Sequence, residues 1–192
     1  MEDGRGEINK RLYFLMYKPM SNFHFRFMAF CFKLRDLFLP PKRILEEAEI
    51  KPGCVVLDYG CGPGSYSIAA AEMVGAGGKV YALDIHPLAC KAVQKAASKK
   101  GLKNIETISS DCATGLEKES VDVALLYDTF HWLSRKKAVL EELHRVLKRD
   151  GMLSFNDHGM KENDIISGVT EAGLFRLSRK GKKTYSFLKG GG

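Results

Sequence analysis

The sequence predicts an α/β fold: a doubly wound, mostly parallel sheet with helices on both faces. Three observations carry this. From Cys54 onward, short apolar runs alternate with segments of helical periodicity. The apolar runs are continuous rather than alternating, as in strands buried on both faces. After them come one helix and two short runs around Lys180-Gly181-Lys182, which read as a hairpin and end the sheet antiparallel.

Taken in order, the predicted parallel strands are Val55–Asp58, Val80–Asp84, Ile105–Ser109, Val121–Tyr127 and Met152–Asn156. Between them lie the predicted helices Ser65–Val74, Pro87–Lys100 and Lys136–Lys148. In the third helix Val139, Leu143, Val146 and Leu147 recur at helical spacing, and Gly151 reads as its stop signal. A further helix, Glu162–Ala172, leads to the hairpin strands Leu174–Ser178 and Thr184–Leu188.

Composition bounds the function class. The chain has 192 residues, enough for one domain. With 45% hydrophobic and 28% charged residues it is not a disordered chain, a collagen-like repeat or a coiled coil. A net charge of +7 is compatible with an anionic surface or nucleic acid and establishes neither. The five cysteines form no C-x-x-C pair and no secretory signal precedes them, so free thiols in the cytoplasm are expected. No His–Cys spacing supports a metal site. The apolar region Leu12–Leu39 is broken by charges; its central uncharged run, Phe27–Phe32, is too short to span a bilayer.

The chemistry concentrates at strand ends. Val55 to Gly64 ends a strand and opens a helix through Asp58-Tyr59-Gly60-Cys61-Gly62-Pro63-Gly64. The alternative reading is a plain strand–helix turn. The spacing G-x-G-x-G, with Ser65 where a third dinucleotide glycine would fall and Asp58 before the loop, disfavours NAD or FAD. Asp84 closes the second strand, where a carboxylate can accept both ribose hydroxyls of an adenosine group. Ile85 would pack on the adenine face. Asp111 closes the third strand and can accept from an adenine amine, with the Cys112 N–H donating to a ring nitrogen. Taken singly, Asp84 also suits a helix N-terminus and Asp111 a turn.

These motifs together resemble the class I S-adenosylmethionine-dependent methyltransferases, in particular the compact branch that includes ubiquinone- and menaquinone-biosynthesis-like enzymes. The resemblance runs from about Pro41 to Leu188. It includes Val55–Ser65, Val80–Asp84, Ser110-Asp111-Cys112, Val121–Trp132 and Glu141–Gly151. It implies a Rossmann-like sheet of seven strands with the last antiparallel, and S-adenosylmethionine as cofactor with no metal. The cofactor-binding residues it implies are Asp58, Gly60, Cys61, Gly62, Gly64, Asp84, Ile85, Asp111, Cys112 and Asp128, the last for the methionine ammonium group.

A sulfonium methyl is already activated, so such an enzyme mainly holds the acceptor in line and excludes water. His131, after the fourth strand, is the candidate base; its alternative is a histidine that caps the next helix or packs beside Trp132. The connection after the fifth strand is too short for a lid. Nearly half of the aromatic residues fall between Tyr13 and Phe38, in a segment whose apolar stripe is too broad for one buried face. That segment is a core helix, a lid over a hydrophobic acceptor, or a membrane-surface or dimer contact. As a lid it would present Tyr13, Tyr17, Phe23 and Phe27 to the acceptor, with a break at Lys18-Pro19. The expected organisation is an aromatic-rich helical segment over 1–39, a methyltransferase domain over 40–189 and a tail over 190–192.

The expected function is methyl transfer to a small, apolar acceptor, at oxygen or carbon. The alternatives are a protein or RNA methyltransferase using the basic end (Arg176, Arg179, Lys180, Lys182, Lys183, Lys189), and a module that binds cofactor without catalysis. Nucleic acid is the less favoured partner. The oligomeric state is not legible.

Overall fold

The computed structural model describes residues 20–190. Tyr13, Tyr17 and the Lys18-Pro19 break lie outside the described residues. A seven-stranded sheet forms the centre: β1 (Val55–Tyr59), β2 (Lys79–Asp84), β3 (Ile105–Ser109), β4 (Val121–Tyr127), β5 (Leu147–Asn156), β6 (Phe175–Lys180) and β7 (Tyr185–Lys189). Their order across the sheet is β3-β2-β1-β4-β5-β7-β6. The chain starts in the middle at β1, moves out to β3, then crosses to β4. The β1/β4 boundary is therefore the topological switch point, where open α/β sheets bind ligands at strand carboxyl ends. β1 to β5 pair in parallel, and β7 runs antiparallel to both β5 and β6.

The helices are α1 (Asn22–Phe38), α2 (Pro41–Leu45), α3 (Ser65–Val74), α4 (Pro87–Lys100), α5 (Lys136–Val146) and α6 (Glu162–Thr170). Local signals explain their ends. Ser21 caps α1 by accepting from the His24 amide. Pro87 stands in the first turn of α4, and Gly101, in the left-handed region, closes it. One face of the sheet packs on α5 and α6 through Leu126, Phe130, Leu143, Leu153, Phe155 and Phe187; the other packs on α2 and α3 through Leu45, Val56, Ala70, Val80 and Leu125.

The strands β1, β2, β6 and β7 shift by one or two residues from the sequence expectation, and two helix ends differ as well. The helix expected to run to Lys148 ends at Val146, because Leu147 turns extended and pairs with Val121. Gly151 is thus a strand residue in an irregular stretch of β5, not a helix stop. A Cβ there would sit 3.0 Å from the Lys148 backbone and 3.1 Å from the Val121 carbonyl, so the bulge itself selects glycine. The helix expected over Glu162–Ala172 likewise closes at Thr170.

Candidate active site

A cavity of about 570 Å³ lies at the carboxyl ends of β1, β2 and β4, within the usual size of small-molecule sites. Its floor is the glycine loop. The amides of Gly60 and Cys61 both donate to the Leu83 carbonyl, at 2.8 and 2.9 Å, and the Gly62 amide donates to the Asp84 carboxylate at 2.8 Å. The amides that a diphosphate nest would aim at an anion are turned to β2 instead, which explains physically why this is not a dinucleotide loop. Packing also selects the glycines. A Cβ on Gly60 would stand 2.3 Å from Thr129 Oγ1, and one on Gly64 would stand 2.6 Å from Val93 Cγ2 on α4. Both residues have φ in the left-handed region.

Asp58 lies behind the loop. It is 2% exposed, accepts from the Ser67 hydroxyl and backbone amide in the first turn of α3, and is not among the residues lining the cavity. Burial, opposed by the Ser67 hydroxyl and reinforced by the nearby Asp84 charge, pushes its carboxyl up to about 7. Gly64 also stays behind the cavity wall. Cys61 lines the cavity, and burial and the charges of Asp58 and Asp84 hold its thiol well above the ordinary value.

Three acids from three strand ends converge on the cavity: Asp84, Asp111 and Asp128. Asp84 accepts from the amides of Gly62 and His86, at 2.8 and 2.7 Å, which ties its carboxylate to the loop and to the start of α4. Burial raises its pKa above the ordinary carboxylate value, opposed by those two amides. Ile85 follows it, partly exposed on the cavity wall. Asp111 lies 3.4 Å from the Arg135 guanidinium. The amide of Cys112 is directed at Ser110 Oγ, and Cys112 lies behind the wall; Tyr59, which lines the cavity, donates its hydroxyl toward the Asp111 and Cys112 carbonyls. Asp128 is held in the left-handed region (φ 50°) and accepts from the His158 amide and ring, at 2.9 and 2.7 Å.

Helix α1 forms the roof. Its inner face sends Met28, Phe32 and Arg35 into the cavity, while Phe25 stacks on His86 with ring centroids 4.4 Å apart. His86 Nδ1 accepts from the Leu88 amide, so its Nε2 carries the proton and donates to the Met20 carbonyl at 2.9 Å. Arg35 lies over the Phe32 ring at 4.4 Å and the Tyr66 ring at 5.2 Å, and Asp36 accepts from the Ser65 hydroxyl at the start of α3.

The roof is built from other residues than those expected. Phe23 and Phe27 are 75% and 62% exposed and face away from the cavity. His131 is also not among the cavity-lining residues. Its Nδ1 lies 2.6 Å from Asp157 Oδ1, and its ring lies against Gly159, where an added Cβ would be 3.1 Å away. The short 3-10 turn Phe130–Trp132 and the buried Asp157 after β5 set that orientation. Residues that sequence reasoning missed are Arg35, Tyr66, Trp132 and Arg135, all on the cavity wall. Arg35 had a sequence signal: a charge recurring with Met28 and Phe32 at helical spacing. Among the described residues no group of three or more His, Cys, Asp or Glu side chains is placed to hold a metal ion.

Comparisons with known proteins agree with this geometry. The family model described as a methyltransferase domain matches residues 50–188. A SAM-dependent methyltransferase from Aquifex aeolicus superposes with a TM-score of 0.71 at 30% identity, over 81% of this chain and 92% of that one. Aklanonic acid methyltransferase of a Streptomyces species is 31% identical over 62% of this chain and 56% of its own length. The tRNA 5-carboxymethoxyuridine methyltransferase of Escherichia coli is 30% identical over 68% of this chain and 51% of its own. The chain spans about half the length of the curated relatives it matches.

Proposed function

The chain belongs to the S-adenosylmethionine-dependent methyltransferases, and on that premise we propose that it methylates a small, apolar acceptor held under α1. The observation that carries this is the composition of the cavity. Its acids are gathered at the strand ends, Arg35, Tyr66 and Arg135 stand on the wall above them, and an apolar part of the wall is left by Met20, Met28, Phe32, Trp132 and Leu133. The cofactor, when bound, supplies an electrophilic methyl on a sulfonium. Asp84 would accept from the ribose hydroxyls, Ile85 would lie on the adenine, and Asp111 would take the adenine amine. Asp128, steadied by His158, would face the ammonium group, and Arg35, also on the wall, would take the carboxylate. Gly60 and Gly62, with no side chain on the floor, would let the chain of the cofactor cross it. Glycine spacing, the internally used loop amides and the acid at the end of β2 fit an adenosine with no diphosphate.

Methyl transfer then rests on positioning and on exclusion of water by α1. His131 acts as a structural partner of Asp157, because its ring is turned toward Asp157 and Gly159.

The relative acting on tRNA favours a second reading, RNA as acceptor, for which the basic hairpin would be the contact. Against it, Arg179 pairs with Glu49, Lys180 with Glu162, and Lys189 donates to the Leu147 carbonyl. Calorimetry tests the cofactor assignment. S-adenosylmethionine and S-adenosylhomocysteine should bind and NAD should not, and Asp84→Ala should weaken binding by about 1.5–3 kcal/mol, the scale of a charged hydrogen bond. Tight NAD binding, or a folded Asp84→Ala protein with full affinity, would sink the assignment. Steeply salt-dependent RNA binding would favour the second reading.

A further inference from the structure

Helix α1 has two apolar faces, and the domain uses one. Phe25, Met28, Phe32 and Arg35 point inward. Phe23, Phe27, Phe30, Leu34 and Leu37 recur on the opposite face, at 75%, 62%, 58%, 45% and 75% exposure. At about 3.6 residues per turn these five form one continuous stripe along the helix. Isolated exposed apolar residues are ordinary; a row of this length on one helix marks a contact.

Charge selects the occupant. The exposed flank of the stripe carries Arg26 and Lys33, and Lys42 and Arg43 follow on α2. The one acid in α1, Asp36, is turned inward to Arg35 and Ser65. A second copy seated on this face would bring two basic rows together. An anionic surface meets the same residues with complementary charge. The rim of the cavity continues the pattern, with Met20 and Ile85 partly exposed and Trp132 78% exposed.

We propose that the outer face of α1 seats in the interfacial layer of an anionic lipid membrane, so that the cavity beneath it takes its acceptor from the bilayer. The acceptor half of this statement rests on the methyltransferase reading; the docking half does not. An amphipathic helix lying in the interface holds by apolar burial plus attraction between basic side chains and anionic headgroups. The helix that roofs the cavity would then be the part in contact with lipid, and a lipid-soluble acceptor would reach the site without crossing water.

The test is co-sedimentation of the full chain with vesicles of phosphatidylcholine, alone or mixed with phosphatidylglycerol, beside calorimetry with S-adenosylmethionine. The chain should sediment with the mixed vesicles, much less with phosphatidylcholine alone, and be released by salt. The triple variant Phe27→Ser, Phe30→Ser, Leu37→Ser should lose roughly tenfold or more in vesicle partitioning. The pair Arg26→Glu, Lys33→Glu should lose a similar factor on mixed vesicles only. Both variants should bind the cofactor as the parent does. A parent chain that stays in the supernatant, or that sediments equally with both vesicles, overturns the proposal. So does self-association in velocity sedimentation that the triple variant abolishes, since a second copy would then occupy the face. Vesicle binding without cofactor binding would leave the docking intact and remove the methyltransferase reading instead.

Discussion

The floor of the cavity is pinned by backbone. Gly60 and Cys61 share the Leu83 carbonyl, Gly62 donates to Asp84, and the loop runs into the buried start of α3 held by Asp58. The roof is held mostly by side chains: Phe25 on His86, Arg35 over Tyr66, Asp36 on Ser65, and the Met20 carbonyl on His86. Backbone bonds within the sheet open only when the domain does. An element held by a handful of side chains opens at lower free energy. The difference fits what methyl transfer asks of each part. In the reading proposed above, the floor would hold a cofactor in one geometry and the roof would admit an acceptor and then exclude water.

The comparison breaks if the floor tolerates what its packing forbids. Gly60→Ala places a Cβ against Thr129 at a left-handed φ, and should cost about 2–4 kcal/mol from backbone strain and overpacking together. Urea unfolding would measure it. Adding Thr129→Ala should recover part of the loss, because the two nearest atoms leave and the strain remains. An unchanged midpoint in Gly60→Ala would show that the floor yields to an added Cβ and is not pinned.

A smaller effect comes from the acid beneath the floor. Burial holds Asp58 at about 7, against an ordinary 3.8. The folded chain therefore keeps a proton that the unfolded chain has released. This contribution favours folding fully below the ordinary value and is lost as pH rises through about 7. Between about pH 5 and about pH 7 the parent should lose about 2 kcal/mol of stability relative to Asp58→Asn, within the limit of about 1.4 kcal/mol per unit. Parallel stability profiles for the two proteins would place the carboxylate in contact with water.

The smallest effect sharpens the roof. His86→Ala removes the cap of α4 and the stacking on Phe25, for about 1–2 kcal/mol. His86→Asn keeps a capping side chain and should restore roughly 1 kcal/mol of that. Hydrogen exchange at the α1 amides should be faster than in the parent in both variants, because both lose the stack. If exchange in α1 is unchanged, His86 caps α4 and does not hold the roof.

Much of the floor was legible because its signals are local. The helix bounds Ser65–Val74 and Pro87–Lys100 and the strands Ile105–Ser109 and Val121–Tyr127 stand as the sequence pattern drew them. The roof was legible as an element but not as a surface. A segment apolar on both sides gives two stripes and no local signal for which one faces in, so Phe23 and Phe27 were expected inside and lie outside. Arg35, surrounded by aromatic residues, looked like an interruption in an apolar run and is part of the cavity wall.

By itself, then, the sequence determined the order of strands and helices, the glycine loop and the acids at the ends of β2, β3 and β4. Periodicity, turn chemistry and strand-end position act over a few residues and are written along the chain. Tertiary structure decided what needs distant partners. Asp157, beyond β5, turns His131 toward itself; Ser67 and burial put Asp58 behind the loop; Leu83 takes the loop amides; and His86 selects which side of α1 meets the cavity. Each of these depends on a group brought close only when the sheet has assembled, and no local pattern encodes it.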